Sequence, residues 1–304
     1  MIPEFPEFKN LELSDKEEIE DLTRPFPPYS DFHFITIYCW DIDNNTLISM
    51  LNGNLIIKQI DCLSDEQFFS FIGVNSVPET VSKISSFLRD KKLPLIFRWM
   101  PEVTVNCLNG LKASISDDRD FFDYIYNVSD IYHSVGAKYK NYKWNISHFN
   151  RNYPQISTHV LDLTNSHVKM QLNELFKIWT EIKGSESKDC DPTSEYKALN
   201  KLLSTANHFK NLVGIGVYDK DDMIGFCINE LPENDYASLL FWKANTKYSG
   251  IYQFLMKETT YLCHKNAIPF INFESDLGIE SLRVSKLRNH PAFFLKKYKI
   301  EIYN

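Results

Sequence analysis

A weak internal repeat constrains this chain more than any other feature, because a duplicated pattern of strands and helices must fold as two copies of one unit. In the first half, Thr46 to Ile60 reads as two strands about an Asn52-Gly53 turn, a dipeptide that favours the tight β-hairpin. An apolar strand from Phe68 to Val74 follows. Next come a helix opening near Pro78, with Val81, Ile84 and Leu88 on one face, and a strand from Leu93 to Phe97. In the second half, Leu212 to Tyr218 and Met223 to Ile228 flank another turn, and a strand Ala237 to Trp242 comes after them. A helix from about Tyr248 to Lys265 sets Ile251, Phe254, Leu255 and Leu262 at helical spacing, and Ile268 to Phe273 reads as a closing strand. Hairpin, strand, helix, strand therefore occurs twice, with the turns about 170 residues apart. Two further amphipathic helices precede the second hairpin. One carries Val168, Leu172, Leu175, Phe176, Trp179 and Ile182; the other carries Leu199, Leu202, Leu203 and Ala206.

The 304 residues suffice for two domains of about 150 each. With 43% hydrophobic and 14% aromatic residues, both can hold a real core, and wholesale disorder is excluded. No apolar run approaches the ~18 residues that span a bilayer. The first residues carry acids where a secretory signal needs bases and then an apolar stretch. A cytoplasmic protein without a transmembrane segment is the expectation. Cys39, Cys62, Cys107, Cys190, Cys227 and Cys263 are scattered without a CxxC pair and read as reduced thiols. No HExxH, GxSxG, GxGxxG or P-loop occurs, and no metal site is expected.

The net charge of −7 is unevenly placed. Residues 1–31 hold nine acids against three bases, which accounts for six of the excess negative charges. Two stretches of the remainder are purely basic. Gly136 to Tyr153 carries Lys138, Lys140, Lys143 and Arg151, and Arg283 to Lys299 carries Arg283, Lys286, Arg288, Lys296, Lys297 and Lys299. An anionic partner is therefore compatible with the low overall pI, because the local field steers association.

Strand, two helices, hairpin, strand, helix, strand is the order of the GNAT acyltransferase fold, so the repeat implies an α/β tandem GNAT of two mixed-sheet domains flanked by helices. The expected domains are 1–150, an N-terminal GNAT-like half, and 151–304, a C-terminal half that carries the active site. Particular segments sharpen the likeness. Ser30-Asp-Phe-His-Phe34 with Trp40, Gly136-Ala-Lys-Tyr139 leading to Phe149 and Tyr153-Pro154, and Tyr248-Ser-Gly-Ile-Tyr-Gln253 are three of them. The most specific is Ile271-Asn-Phe-Glu-Ser-Asp-Leu-Gly-Ile-Glu280, followed by Leu282-Arg283, Lys286-Leu287, Pro291 and Lys297-Tyr298. Together they resemble the C-terminal catalytic domain of phosphatidylglycerol lysyltransferases and its uncharacterised relatives. That resemblance implies aminoacyl transfer from aminoacyl-tRNA to an amine or hydroxyl on a small molecule, a peptide or a lipid head group.

Candidate site residues follow from position and chemistry. Lys247-Tyr-Ser-Gly-Ile-Tyr252 is similar to the turn with which coenzyme A-dependent GNATs wrap a pyrophosphate at a helix N-terminus. Gly250 fits that use, whereas the bulk of Tyr252 obstructs the phosphate path and favours a different donor. Asn272, Glu274 and Asp276 alternate at the end of a strand, where a carboxylate can take a proton from an attacking group. Glu274 is the first candidate base. Asp276 is a further catalytic candidate but reads somewhat better as an ion-pair partner of Arg283 or Lys286, a reading near parity for Glu274. Lys243, Arg283 and Lys286 are candidates for phosphate contacts, Lys138 and Tyr139 for the same basic funnel, and Tyr298 for proton donation to a leaving oxygen.

The chain also departs from the family pattern. It has Tyr142-Lys-Trp-Asn145 and then Ser147-His148 where relatives carry Lys-Arg-Asn-His and Asn-Arg. Trp242-Lys-Ala244 stands in place of Glu-Lys-Ala, and Phe273 in place of an Arg. Two other readings stay open: an N-acetyltransferase-like enzyme with acyl-CoA as co-substrate and no bound cofactor, and a non-catalytic GNAT-fold binding protein. The latter expects Trp242 and Phe273 to fill the space of a substrate.

Overall fold

Two seven-stranded sheets organise the chain, and each takes one strand from the other half of the sequence. The computed structural model describes residues 1–60, 67–110, 112–184, 192–232 and 236–303. The readings of Cys62 and Cys190 lie outside them, while Cys39, Cys107, Cys227 and Cys263 are free thiols. In chain order the strands are β1 Lys9–Asn10, β2 Leu47–Leu51, β3 Asn54–Ile60, β4 Gln67–Ile72, β5 Ile96–Pro101, β6 Ala113–Asp117 and β7 Asp123–Asn127. They continue with β8 Ile156–Leu161, β9 Leu212–Asp219, β10 Asp222–Glu230, β11 Tyr236–Ala244, β12 Phe270–Asn272, β13 Phe293–Leu295 and β14 Lys297–Ile302. The helices are α1 Lys16–Thr23, α2 Phe34–Trp40, α3 Val77–Asp90, α4 Glu102–Val105, α5 Val128–His133, α6 Lys140–Asn152, α7 Ser166–Gly184, α8 Pro192–Thr205, α9 Ile251–Lys265 and α10 Glu280–Arg288.

The first sheet runs β1-β2-β3-β4-β5-β14-β6, the second β13-β7-β12-β11-β10-β9-β8. Each contains the expected antiparallel hairpin (β2–β3, β9–β10) and one parallel pair, β4–β5 and β11–β12. Asn52 and Gly53 both take positive φ, as the two-residue turn between right-twisted strands requires. Val81, Ile84 and Leu88 of α3 are buried with Phe69, Phe71 and Phe97 in the core of the first sheet. In the second, Leu172, Leu175 and Phe176 of α7, Leu199 and Leu202 of α8, and Ile251 and Leu255 of α9 are buried.

The strands after each helix begin later than the pattern suggests, and for one shared reason. Lys92 is left-handed and the Leu93 N–H returns to the Leu88 carbonyl at 2.9 Å; Ala267 is left-handed and Ile268 N–H returns to Cys263 at 2.9 Å. In both repeats the apolar residue before proline closes the helix end rather than starting the strand.

The compact units are Met1–Asp123 with Ser275–Gly278 and Phe294–Asn304, and Tyr124–Glu274 with Ile279–Phe293. The expected division at residue 150 thus falls inside the second unit, within α6. Phe149 of α6 stacks on Phe254 of α9 at 4.6 Å, so that helix packs with the second repeat. Strand exchange adds to this: β7 pairs with β12, and β14 lies between β5 and β6.

Candidate active site

The second unit places polar side chains where its parallel strands part. β11 and β12 pair only from Tyr236–Phe270 to Ser238–Asn272, after which β11 continues to Ala244 alone on that side. Beside this divergence Ile228 pairs with Phe241 and Asn229 with Leu239, so Leu240 is an extra residue in a β-bulge. Bulges of this kind re-aim side chains and gather near functional sites. The carboxyl ends of parallel strands are also where α/β sheets open a crevice.

Glu274 stands just past β12 with φ +57, a left-handed conformation that costs a non-glycine residue on the order of 1 kcal/mol. Its backbone is held from three directions. Its N–H donates to Asn272 Oδ1 at 2.7 Å, and its carbonyl accepts from the Tyr124 N–H at 3.1 Å and from Lys286 Nζ at 3.2 Å. Lys286 Nζ also donates to the Phe273 carbonyl, and the Tyr126 hydroxyl donates to the Lys286 carbonyl at 2.8 Å. Lys286 is therefore the clamp of the strand end rather than a free phosphate ligand. Arg283 lies one turn earlier on the same helix, half-buried.

Aromatic rings occupy the rest of this region. Trp242 meets Phe273 at 5.3 Å and Tyr252 at 5.2 Å, both edge to face, and Tyr126 meets Phe273 at 4.6 Å. The Trp242 indole N–H is buried without a hydrogen-bond partner among the described residues, an expensive state for a donor in a dry environment. Burial pushes the Tyr252 hydroxyl up to about 12, a rise that the neighbouring Trp179 side chain and Ala244 backbone oppose.

Several expected contacts are otherwise engaged. Lys243 is 7% exposed, its Nζ 2.5 Å from Glu195 Oε1 and 3.8 Å above the Trp179 ring. An ammonium paired and covered in this way is not offered to a phosphate. Gly250 is left-handed (φ +91), and a Cβ there would lie 2.7 Å from the Asn145 carbonyl and 3.2 Å from Phe149 Cβ. The close approach of α6 requires this glycine, and α6 covers the turn that would cradle a pyrophosphate. Exposed Lys138 lies 3.6 Å from Asp130 and over the buried Tyr139 ring, and its carbonyl is hydrogen-bonded by His290 beyond α10 at 2.9 Å. Burial raises the Tyr139 hydroxyl above its ordinary value.

Asp276 and Tyr298 belong to the first unit, so the expected trio with Glu274 is divided between units. Fully buried Asp276 accepts from Arg119 at 3.2 Å and from the Gly278 N–H at 2.9 Å. The Tyr298 hydroxyl donates to Glu102 at 3.1 Å, and burial with that carboxylate raises it to about 12. The same unit contains a charged cluster that sequence reasoning missed. Lys297 and Asp123 are both fully buried, 2.9 Å apart, with Asp31 also on Lys297 and the Ser30 hydroxyl on Asp123 at 2.6 Å. Ser30-Asp31 and Lys297 lie in segments already singled out; nothing in the sequence pointed to Asp123. Among the described residues no group of three or more His, Cys, Asp or Glu is arranged to hold a metal.

Two mixed sheets flanked by helices, each built on hairpin, parallel strand and helix, define a tandem GNAT acyltransferase fold. Residues 23–301 match the family described as phosphatidylglycerol lysyltransferase, C-terminal, and the chain belongs to that family. It is similar over 100% of both chains to a Bacteroides thetaiotaomicron protein of unknown function, at 22% identity and a TM-score of 0.85. The C-terminal domain of a putative lysylphosphatidylglycerol synthetase from Agrobacterium fabrum matches at 11% identity and a TM-score of 0.67, over 96% of this chain and 92% of that one. L-PGS from Bacillus licheniformis matches at 13% identity and a TM-score of 0.63, over 100% and 94%. An uncharacterized Mycoplasmoides gallisepticum protein is 25% identical over 135 residues, 43% of this chain and 41% of the relative's own length. Family and fold support a transferase. No helix among the described residues is long and apolar enough to cross a membrane.

Proposed function

We propose that the chain is an aminoacyltransferase that takes its acyl group from aminoacyl-tRNA and passes it to an amine or hydroxyl acceptor. The observation that carries the choice of donor is the turn at Gly250. With the Asn145 carbonyl against the Cβ side of Gly250 and Tyr252 packed on Trp242, this turn leaves a coenzyme A pyrophosphate less room than an open glycine loop. The acceptor nitrogen or oxygen attacks the ester carbonyl, the bond to the tRNA ribose oxygen breaks, and that oxygen leaves with a proton. Glu274 is the group suited to remove the acceptor's proton, and the unsatisfied Trp242 N–H is suited to donate to the developing oxyanion. Lys286 fixes the strand end that presents Glu274.

A transfer assay with charged tRNA tests this reading. The wild type is expected to release uncharged tRNA in the presence of acceptor, and Glu274→Gln to be slower by about 10²-fold or more. Transfer from acyl-CoA but not from aminoacyl-tRNA would reject the donor, and an unimpaired Glu274→Gln would reject the base. One observation favours a second reading. Trp242 and Phe273 pack edge to face at 5.3 Å beside the strand end, which supports the binding-protein alternative, and aminoacyl-tRNA that binds without reacting would select it.

A further inference from the structure

Outside the strand-end cluster, α6 carries the most unusual surface of the second unit. Its inner face is fixed: Phe149 is fully buried on Phe254, and the Asn145 carbonyl abuts Gly250. Its outer face therefore points to solvent in a defined way. Lys140, Trp144, His148 and Arg151 follow one another at i, i+4, i+8 and i+11, one stripe along the helix. Trp144 is 55% exposed, unusual for the largest apolar side chain. It lies flat on the His148 ring, centroids 4.8 Å apart and planes 13° from parallel. Asn152 Nδ2 bonds the outer edge of that imidazole at 2.7 Å and fixes its plane.

The charge around this pair is of one sign. Lys140, Lys143 and Arg151 are exposed, and among the described residues none has a carboxylate partner. The nearby acids are already paired, Asp130 with Lys138 and Glu258 with Lys257. His290 beyond α10 joins the same region through the Lys138 carbonyl. A planar π-face bracketed by cations, without a competing acid, is what a single-stranded nucleic acid requires: a surface on which a base stacks and charges that track the phosphates. A membrane surface fits less well. It needs a broad apolar face, whereas this stripe offers one indole and its remaining apolar neighbours turn toward the body.

We infer that the Lys140–Trp144–His148–Arg151 stripe is a docking platform for single-stranded RNA, one unpaired base stacking on Trp144 while Lys140 and Arg151 contact flanking phosphates. The inference rests on the aminoacyl-tRNA reading for the identity of its partner and adds where the unpaired end of that partner is held.

The test uses the full chain and a fluorescein-labelled single-stranded oligoribonucleotide of about eight nucleotides, followed by anisotropy over a range of salt. Trp144→Ala is expected to weaken binding by about 10-fold, the size of one base–aromatic stack, and Trp144→Phe to restore most of it. The double variant Lys140→Ala with Arg151→Ala is expected to reduce the slope of log affinity against log salt by about 1.4. These side chains are exposed, so thermal melts should match wild type. Equal binding by all variants, preference for a duplex of the same length, or capture of phosphatidylglycerol vesicles but not RNA through these residues would each overturn the platform. Glu274→Gln separates this inference from the catalytic one: it should bind the oligonucleotide as wild type does. Stripe-dependent binding without any transfer leaves the platform standing while the proposed reaction falls.

Discussion

Two residues past the last parallel pairing of each repeat, at Phe97 in one and Asn272 in the other, stands the same backbone with different chemistry. Seven residues past the left-handed Lys92 stands Trp99 with φ +54; seven residues past the left-handed Ala267 stands Glu274 with φ +57. Before them come Phe97-Arg98 in one repeat and Asn272-Phe273 in the other. In the first unit the left-handed position holds an indole packed on Phe68 at 4.4 Å and Phe121 at 4.9 Å, and Arg98 lies 3.6 Å from Asp118. In the second it holds a carboxylate whose backbone is clamped by Asn272 and Lys286. Duplication kept the left-handed position, and only the second copy placed an ionisable group on it. Strain retained at such a position is evidence for a use beyond stability. The first unit instead commits charge to its interior, at Lys297, Asp31 and Asp123.

The largest expected effect tests that division. Lys297→Met leaves two buried carboxylates without their cation and should cost about 3–5 kcal/mol in urea unfolding. A cost below about 1 kcal/mol would show the cluster to be dispensable, and the contrast between units would lose its structural half.

A smaller effect concerns pH. Burial pushes the Asp31 carboxyl up to about 6, with Lys297 opposing the rise and Asp123 adding to it. On Lys297 burial acts downward, but Asp123 and Asp31 outweigh it, and the ammonium stays charged. The folded state therefore binds the Asp31 proton more tightly than the unfolded chain. This contribution is complete below pH ~4 and is lost as pH rises through about 6. Stability should fall between pH 4 and 6 by on the order of 1 kcal/mol per pH unit, and Asp31→Asn should flatten the curve. Chemical denaturation across that range would show it; an unchanged slope in the variant would assign the pH dependence elsewhere.

The smallest effect sharpens the comparison at Glu274 itself. Glu274→Gly relieves the left-handed strain and should leave stability unchanged or raise it by up to about 1 kcal/mol, while transfer is lost. A clear loss of stability would mean that the side chain serves the fold, as Trp99 does in the other repeat.

Much of the fold was legible because it is written in local patterns. The Asn52-Gly53 hairpin, the apolar faces of α3 and α9 and the alternation of the hairpin strands are short-range consequences of turn chemistry and burial. The two strand starts were misplaced because Leu93 and Ile268 look like strand residues, whereas their N–H groups close the preceding helices. At the site, Glu274 at a strand end and Lys286 on the following helix were both legible as candidates, but the part Lys286 plays was not. A lysine aimed at backbone carbonyls has the same sequence signature as one aimed at phosphate.

The remainder depended on residues far apart in the chain, where no spacing rule applies. Arg119 reaches Asp276 across 157 positions, Lys297 reaches Asp123 across 174, and Glu195 neutralises the β11 residue Lys243 from helix α8. By itself the sequence determined the repeated elements, since period and turn type are set by neighbours in the chain. Only the tertiary structure decided which charges are buried and paired and which stay in solvent, because desolvation is a property of the surroundings a side chain reaches.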